Sequence, residues 1–126
     1  MCGIIGITSS KPVSSSILHS LKKLEYRGYD SAGIATIDNG IINEIKSLGR
    51  VDVLEKNISQ INLSGEVGIG HVRWATHGMP STINAHPHST ENISVVHNGI
   101  IENSVILKKS IRGVKILMAC LRLLQI

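Results

Sequence analysis

The sequence predicts an α+β domain. Three observations predict it: an Asn39-Gly40 pair between two β-branched runs, apolar residues at helical spacing after Pro12, and short apolar runs at 3–7 and 66–74. With 126 residues there is room for one domain, and a domain of that size buries a core without needing disulfides or a metal. Phe is absent, so the core has to be built from Ile, Leu and Val.

In chain order, residues 3–7 form a short run whose length and β-branching predict a buried strand, with residue 2 at its end. The Ser14-Ser15-Ser16 cluster offers N-cap hydroxyls to a helix whose apolar face is Ile17, Leu18, Leu21 and Leu24. Residues 33–37 and 41–48 flank Asp38-Asn39-Gly40, and Asn-Gly supplies the positive φ angles of a tight antiparallel hairpin. Asp52 followed by Glu55 reads as an Asp form of the capping box, starting a short helix that is over by Ile61. Residues 66–74 and 92–97 then read as strands. Between them, Gly78, Pro80, Asn84 and Pro87 impose a loop. From Ser104 onward the residues lean towards helix, weakened by Gly113.

The net charge of +4 invites a nucleic-acid reading, but its distribution argues against one. All nine acidic residues lie at or before Glu102, nearly balanced there by eight Lys and Arg; the remainder carries five basic residues and no acid. Cys2 and Cys120 are too few for a disulfide framework, and no signal-peptide pattern opens the chain, so a reduced, cytoplasmic setting is expected. The apolar run 116–121 is far too short to span a membrane.

The polar chemistry concentrates in three places. A cysteine directly after Met1 stands where loss of the methionine leaves an α-amine beside a thiol, so nucleophile and base share one residue. The alternative is a small residue leading into a strand. Asn98-Gly99 supplies an amide and a backbone N–H to hold an oxyanion, unless it is one more tight turn. Arg73 offers a planar fork for a carboxylate, with Thr76 and His77 beside it; the alternative puts Arg73 on a solvated strand face and Trp74 in the core. Five histidines, His71, His77, His86, His88 and His97, raise a zinc reading, which lacks helical i, i+4 spacing or a Cys pair.

Taken together, residues 1–7, 24–33, 70–78, 84–88 and 95–103 resemble, in order, the glutaminase domain of the glutamine–fructose-6-phosphate aminotransferases, which are class II, N-terminal-nucleophile glutamine amidotransferases. The Cys-Gly-Ile start is shared with amidophosphoribosyltransferases and asparagine synthetases. Arg27-Gly28-Tyr29-Asp30-Ser31-Ala32-Gly33 and Arg73-Trp74-Ala75-Thr76-His77-Gly78 favour the aminotransferase.

The resemblance implies a four-layer αββα sandwich in which processed Cys2 attacks the side-chain amide of glutamine. It assigns Asn98 and Gly99 to the oxyanion hole, and Arg73, Thr76 and His77 to glutamine binding. Trp74 falls in a loop closing over the site and Arg27 near the nucleophile. No redox or metal cofactor, nucleic acid or membrane is implied. In the complete enzyme, ammonia passes to an isomerase domain that acts on fructose 6-phosphate, and the enzyme is a homodimer.

Residues 2–103 carry this resemblance; 104–126 do not. The family continues with further strands and an acidic residue that holds the α-amino group of glutamine, and nothing in 104–126 matches it. The chain thus reads as a truncated or frameshifted product, incomplete as a sandwich and weakly active or inactive, with a non-catalytic remnant as the rival reading.

Overall fold

The computed structural model describes residues 1–61, 63–76 and 78–110, with the side chain of Lys108 outside that description. His77, Cys120 and the apolar run at 116–121 lie outside the described residues. The elements are strand β1 (Gly3–Thr8), helix α1 (Ser14–Leu24), a 3-10 turn (Glu25–Arg27), β2 (Ser31–Asp38), β3 (Ile41–Leu48), α2 (Val51–Ile58), β4 (Val67–Arg73), β5 (His88–Ser89), β6 (Ser94–Val95) and α3 (Ser104–Ser110).

The four long strands form one antiparallel sheet in the order β1-β4-β2-β3. The hairpin between β2 and β3 turns at Asn39 and Gly40, both at positive φ, as their residue types demand. Opposed residues share a face, so Ile5, Gly70, Ile34 and Ile45 lie on one side. Helices α1 and α2 pack there, burying Ile17, Leu21, Leu54 and Val72 with Ile34. A side chain at Gly70 would stand 2.5 Å from Ile17 and 3.1 Å from Leu21, so the bare backbone is what lets α1 sit down on the sheet.

The opposite face carries Cys2, Ile4, His71, Arg73, Gly33 and Lys46. The segment 84–98, containing the two-stranded β5-β6 ribbon, covers only part of it. Ile4, Ile37 and Val67 on this face stay 40%, 45% and 46% exposed. One helix layer, one sheet and a fragment of a second sheet are the beginning of an αββα sandwich, left incomplete among the described residues.

Four local expectations are corrected. Among the described residues β1 pairs only with β4 and is a half-exposed edge strand rather than a buried one. Helix α1 is flanked by Val13, with no side-chain cap; the Val13 N–H instead donates to the Gly65 carbonyl at 2.9 Å. Helix α2 starts at Val51, so Asp52 lies inside its first turn. The cap is long-range, with the Val51 N–H donating to Glu25 Oε1 at 2.7 Å, while Asp52 pairs with Lys22 at 3.3 Å. The strand expected over 92–97 shrinks to Ser94–Val95, because its partner is only His88–Ser89 and a tight turn closes the pair through Thr90 and Ile93. No helix among the described residues is long and apolar enough to cross a membrane.

Candidate active site

Because Gly3 pairs with Val72, residue 2 lies beside Arg73 at the open end of the β1–β4 pair. The Trp74 backbone N–H donates to Cys2 Sγ at 3.3 Å, and the thiol faces the Trp74 carbonyl at 3.7 Å. The Cys2 carbonyl accepts two hydrogen bonds, from Arg27 Nε at 3.2 Å and from Asn98 Nδ2 at 3.1 Å. Residue 2 is therefore anchored through its sulfur and its carbonyl, neither of which belongs to Met1, and Met1 itself is 82% exposed.

Around this sulfur opens a cavity of about 400 Å³. Cys2, Arg27, Arg73 and Trp74 line it from the sheet side and its flanking loops, together with Thr76. Asn98 and Gly99 line it from the segment that crosses the sheet, and Gly99 takes φ +139°, a backbone conformation open to glycine. Every sequence-predicted site residue within the described residues thus faces one space.

Segment 28–31 builds the wall that carries Arg73 and Trp74. A side chain at Gly28 would meet the Arg73 carbonyl carbon at 2.4 Å, so only glycine lets the two backbones lie this close. The Asp30 N–H donates to the Arg73 carbonyl at 3.2 Å, and the Asp30 carboxylate accepts the Ala75 N–H and, at 2.9 Å, the Ser31 hydroxyl. Arg73 is buried, with Nη2 donating to the Gly78 carbonyl at 3.3 Å, which overturns the solvated-face alternative. Trp74 is 44% exposed rather than in the core, its ring set edge-on to Tyr29 at 5.4 Å.

Beneath the cavity three histidine rings pack against one another, the first pair tilted and the second edge-on. His71 and His86 lie 4.4 Å apart, and His86 and His88 4.5 Å apart, all three buried. Burial pushes the His71 pKa down to about 4, against the opposing hydrogen bond to Asn98. Burial lowers His86 to about 2, with His71 and His88 adding to the effect, and holds His88 near 4, helped by Lys46. Among the described residues, no group of three or more His, Cys, Asp and Glu is arranged to hold a metal ion.

These neutral rings make stability pH-dependent. The unfolded chain takes up protons from about pH 6.5 downward while the folded rings resist until about pH 4. Their contribution is complete above pH 6.5 and is lost as pH falls through that window. Denaturant melts at pH 7 and pH 5 are expected to differ by about 2 kcal/mol or more, and replacing His86 by Phe should reduce the difference without abolishing it, because His71 and His88 remain. Equal stability at the two pH values would contradict neutral burial.

Gly28 and Asp30 matter to the site and were not singled out from the sequence, and His71 was named there only as a candidate zinc ligand, not for its bond to Asn98. Their roles are contacts to residues more than 25 positions away, which local patterning does not encode. The surviving signal was the unbroken run from Arg27 to Gly33, quoted above for its resemblance alone.

No protein-family model matches the chain. It is similar to glutamine–fructose-6-phosphate aminotransferase [isomerizing] of Agrobacterium fabrum, at 57% identity over 103 residues, which is 82% of this chain and 17% of that protein. The proteins of the same name from Bartonella henselae and Rhizobium leguminosarum bv. viciae match at 55% and 51%, covering 88% and 90% of this chain. The chain spans less than a fifth of the length of these relatives, 17% to 19%. Among solved structures, glutamine phosphoribosylpyrophosphate amidotransferase from B. subtilis, complexed with ADP and GMP, superposes with a TM-score of 0.73 at 26% identity, covering 87% of this chain and 24% of its own. A structure described as the allosteric regulatory enzyme of purine biosynthesis gives 0.73 at 28% identity.

Proposed function

We propose, from the premise that this chain is homologous to the N-terminal part of the glutamine–fructose-6-phosphate aminotransferases and shares the N-terminal-nucleophile amidotransferase fold, that its cavity is a glutaminase site with Cys2 as nucleophile. The observation that carries this reading is the convergence of the Trp74 N–H and the Asn98 amide on Cys2, one on its sulfur and one on its carbonyl.

After Met1 is removed, the α-amine of Cys2 takes the thiol proton and the thiolate attacks the carbon of the glutamine side-chain amide. Negative charge moves to the amide oxygen, where Asn98 Nδ2 and the Gly99 N–H hold it. The ammonium of Cys2 returns a proton to the departing nitrogen, ammonia leaves, and water hydrolyses the glutamyl thioester to glutamate. Arg73 binds the α-carboxylate of glutamine, Thr76 and His77 add hydrogen bonds, and Trp74 covers the site. Arg27 holds the nucleophilic residue in place through its carbonyl.

Transfer of the ammonia to fructose 6-phosphate requires the acceptor domain of a complete enzyme, which is expected to be a cytoplasmic homodimer. A second reading, a remnant without turnover, is favoured by one observation. No Asp or Glu lines the described cavity, so Arg73 answers the carboxylate of glutamine while nothing of opposite charge answers its ammonium. Turnover is accordingly expected to be weak.

The test is covalent labelling. Intact mass should show Met1 removed and one chloroketone analogue of glutamine attached to Cys2. Glutamine should slow the labelling, and its desamino analogue, which keeps the carboxylate and side-chain amide but lacks the ammonium, should protect about equally. Labelling that glutamine does not slow would leave the remnant reading standing.

A further inference from the structure

We propose that His71, through a proton on its Nε2, fixes the polarity of the Asn98 side-chain amide and so keeps an N–H, rather than an oxygen, facing the place where charge develops on the substrate. The inference rests on the reading of Asn98 as an oxyanion donor and adds the residue that orients it.

The Cys2 carbonyl can only accept, and the Asn98 side chain meets it at 3.1 Å, so the amide nitrogen must be the end that faces Cys2. The oxygen of that amide then faces the other way, onto His71 Nε2 at 2.9 Å. An amide oxygen can also only accept, so Nε2 must be the protonated ring nitrogen of a neutral His71. Among the described residues His71 Nδ1 has no hydrogen-bond partner, as a bare nitrogen buried against rings can tolerate better than a buried N–H. A single chain of donors and acceptors, from Cys2 through Asn98 to His71, is thus self-consistent in one sense only.

The reversed arrangement fails at both ends. With the proton on Nδ1, His71 Nε2 would be an acceptor and would draw the Asn98 nitrogen towards itself. The Asn98 oxygen would then face the Cys2 carbonyl and the forming oxyanion, three acceptors together. Asn98 is exposed at the cavity and so lacks the packing that would hold its amide against such a flip. His71 is fully buried on β4, 4.4 Å from the His86 ring, and therefore makes a rigid reference for a mobile partner.

His71 is thus a positioning residue, acting on Asn98 rather than on the substrate. Its test uses the whole chain with Met1 removed and compares two rates of Cys2 alkylation, by the glutamine-shaped chloroketone, whose carbonyl becomes an oxyanion, and by iodoacetamide, which needs no oxyanion donor. His71→Leu is expected to lower the chloroketone rate relative to the iodoacetamide rate by about tenfold or more. His71→Gln, which keeps an N–H donor for the Asn98 oxygen, should recover most of the ratio.

Asn98→Ala separates the two ideas. If it leaves the ratio unchanged, the oxyanion reading fails. If it lowers the ratio while His71→Leu does not, the reading stands and the role of His71 is overturned. Should His71→Leu not fold, long-range proton–nitrogen NMR of the unaltered chain decides. A proton on His71 Nε2 at neutral pH is the expected result, and one on Nδ1 overturns the proposal.

Discussion

Retention of Met1 is expected to suppress the reaction of Cys2 with a glutamine-shaped chloroketone by at least about tenfold at neutral pH, and Cys2→Ala to abolish it. With Met1 in place the nitrogen of residue 2 belongs to a peptide bond and is no base. The thiol then has no base on its own residue to take its proton. The anchors of residue 2 are its own sulfur and carbonyl, held by Trp74, Arg27 and Asn98, so removal of Met1 exchanges an amide for an amine without displacing the nucleophile.

The comparison needs only two preparations, one with a small second residue exposed to aminopeptidase and one with Met1 blocked, each assayed by intact mass over time. Iodoacetamide serves as the control for simple access to the sulfur. Equal chloroketone rates with and without Met1 would mean that the α-amine takes no part. In that case the position of the cysteine behind the first residue would have no chemical meaning.

How much of this was legible beforehand follows the range of each interaction. The hairpin was readable because Asn39 and Gly40 adopt positive φ for reasons contained in two adjacent residues. Helix α1 was readable from the spacing of Ile17, Leu21 and Leu24. Its start was not, because Val13 is tied to Gly65, and the cap of α2 was missed for the same reason, being supplied by Glu25. Candidate site residues such as Cys2, Arg73 and Asn98 announced themselves by chemical type, whereas Asp30 and Gly28 act only by holding another segment.

The extent of the strand at 92–97 also escaped local reading. Ser94 and Val95 have β-compatible neighbours on both sides, but a strand lasts only as long as its partner, and the partner ends after two residues. Beyond Val95 the backbone leaves the ribbon and delivers His97, Asn98 and Gly99 to the cavity. What looked like one continuous strand is a short ladder followed by a turn that lines the cavity.

The seating of the histidine loop gives the second large effect. A side chain at Gly33 would stand 2.2 Å from the His86 carbonyl and 2.8 Å from Lys46 Cγ, and the first of these is backbone that cannot swing aside. Gly33→Ala therefore forces the loop off the sheet, against the Lys46 Nζ bond to the Pro87 carbonyl at 3.1 Å that holds it down. Overpacking of this kind costs about 3 kcal/mol, and a denaturant melt should show the loss.

The loop also shields His71, whose low pKa comes first from burial. Lifting it admits water to the ring, so the His71 titration, followed by NMR, is expected to move up from about 4 towards the ordinary 6.5. A protonated His71 has donors on both nitrogens, so it still presents an N–H to the Asn98 oxygen while placing a charge beside the cavity. Gly33→Ala should consequently link a change on the floor of the sheet to the ionisation of His71, through one carbonyl and two rings. Unchanged stability together with an unmoved His71 titration would show that the loop accommodates the methyl group, and that its contact with Gly33 does not set the environment of the histidines.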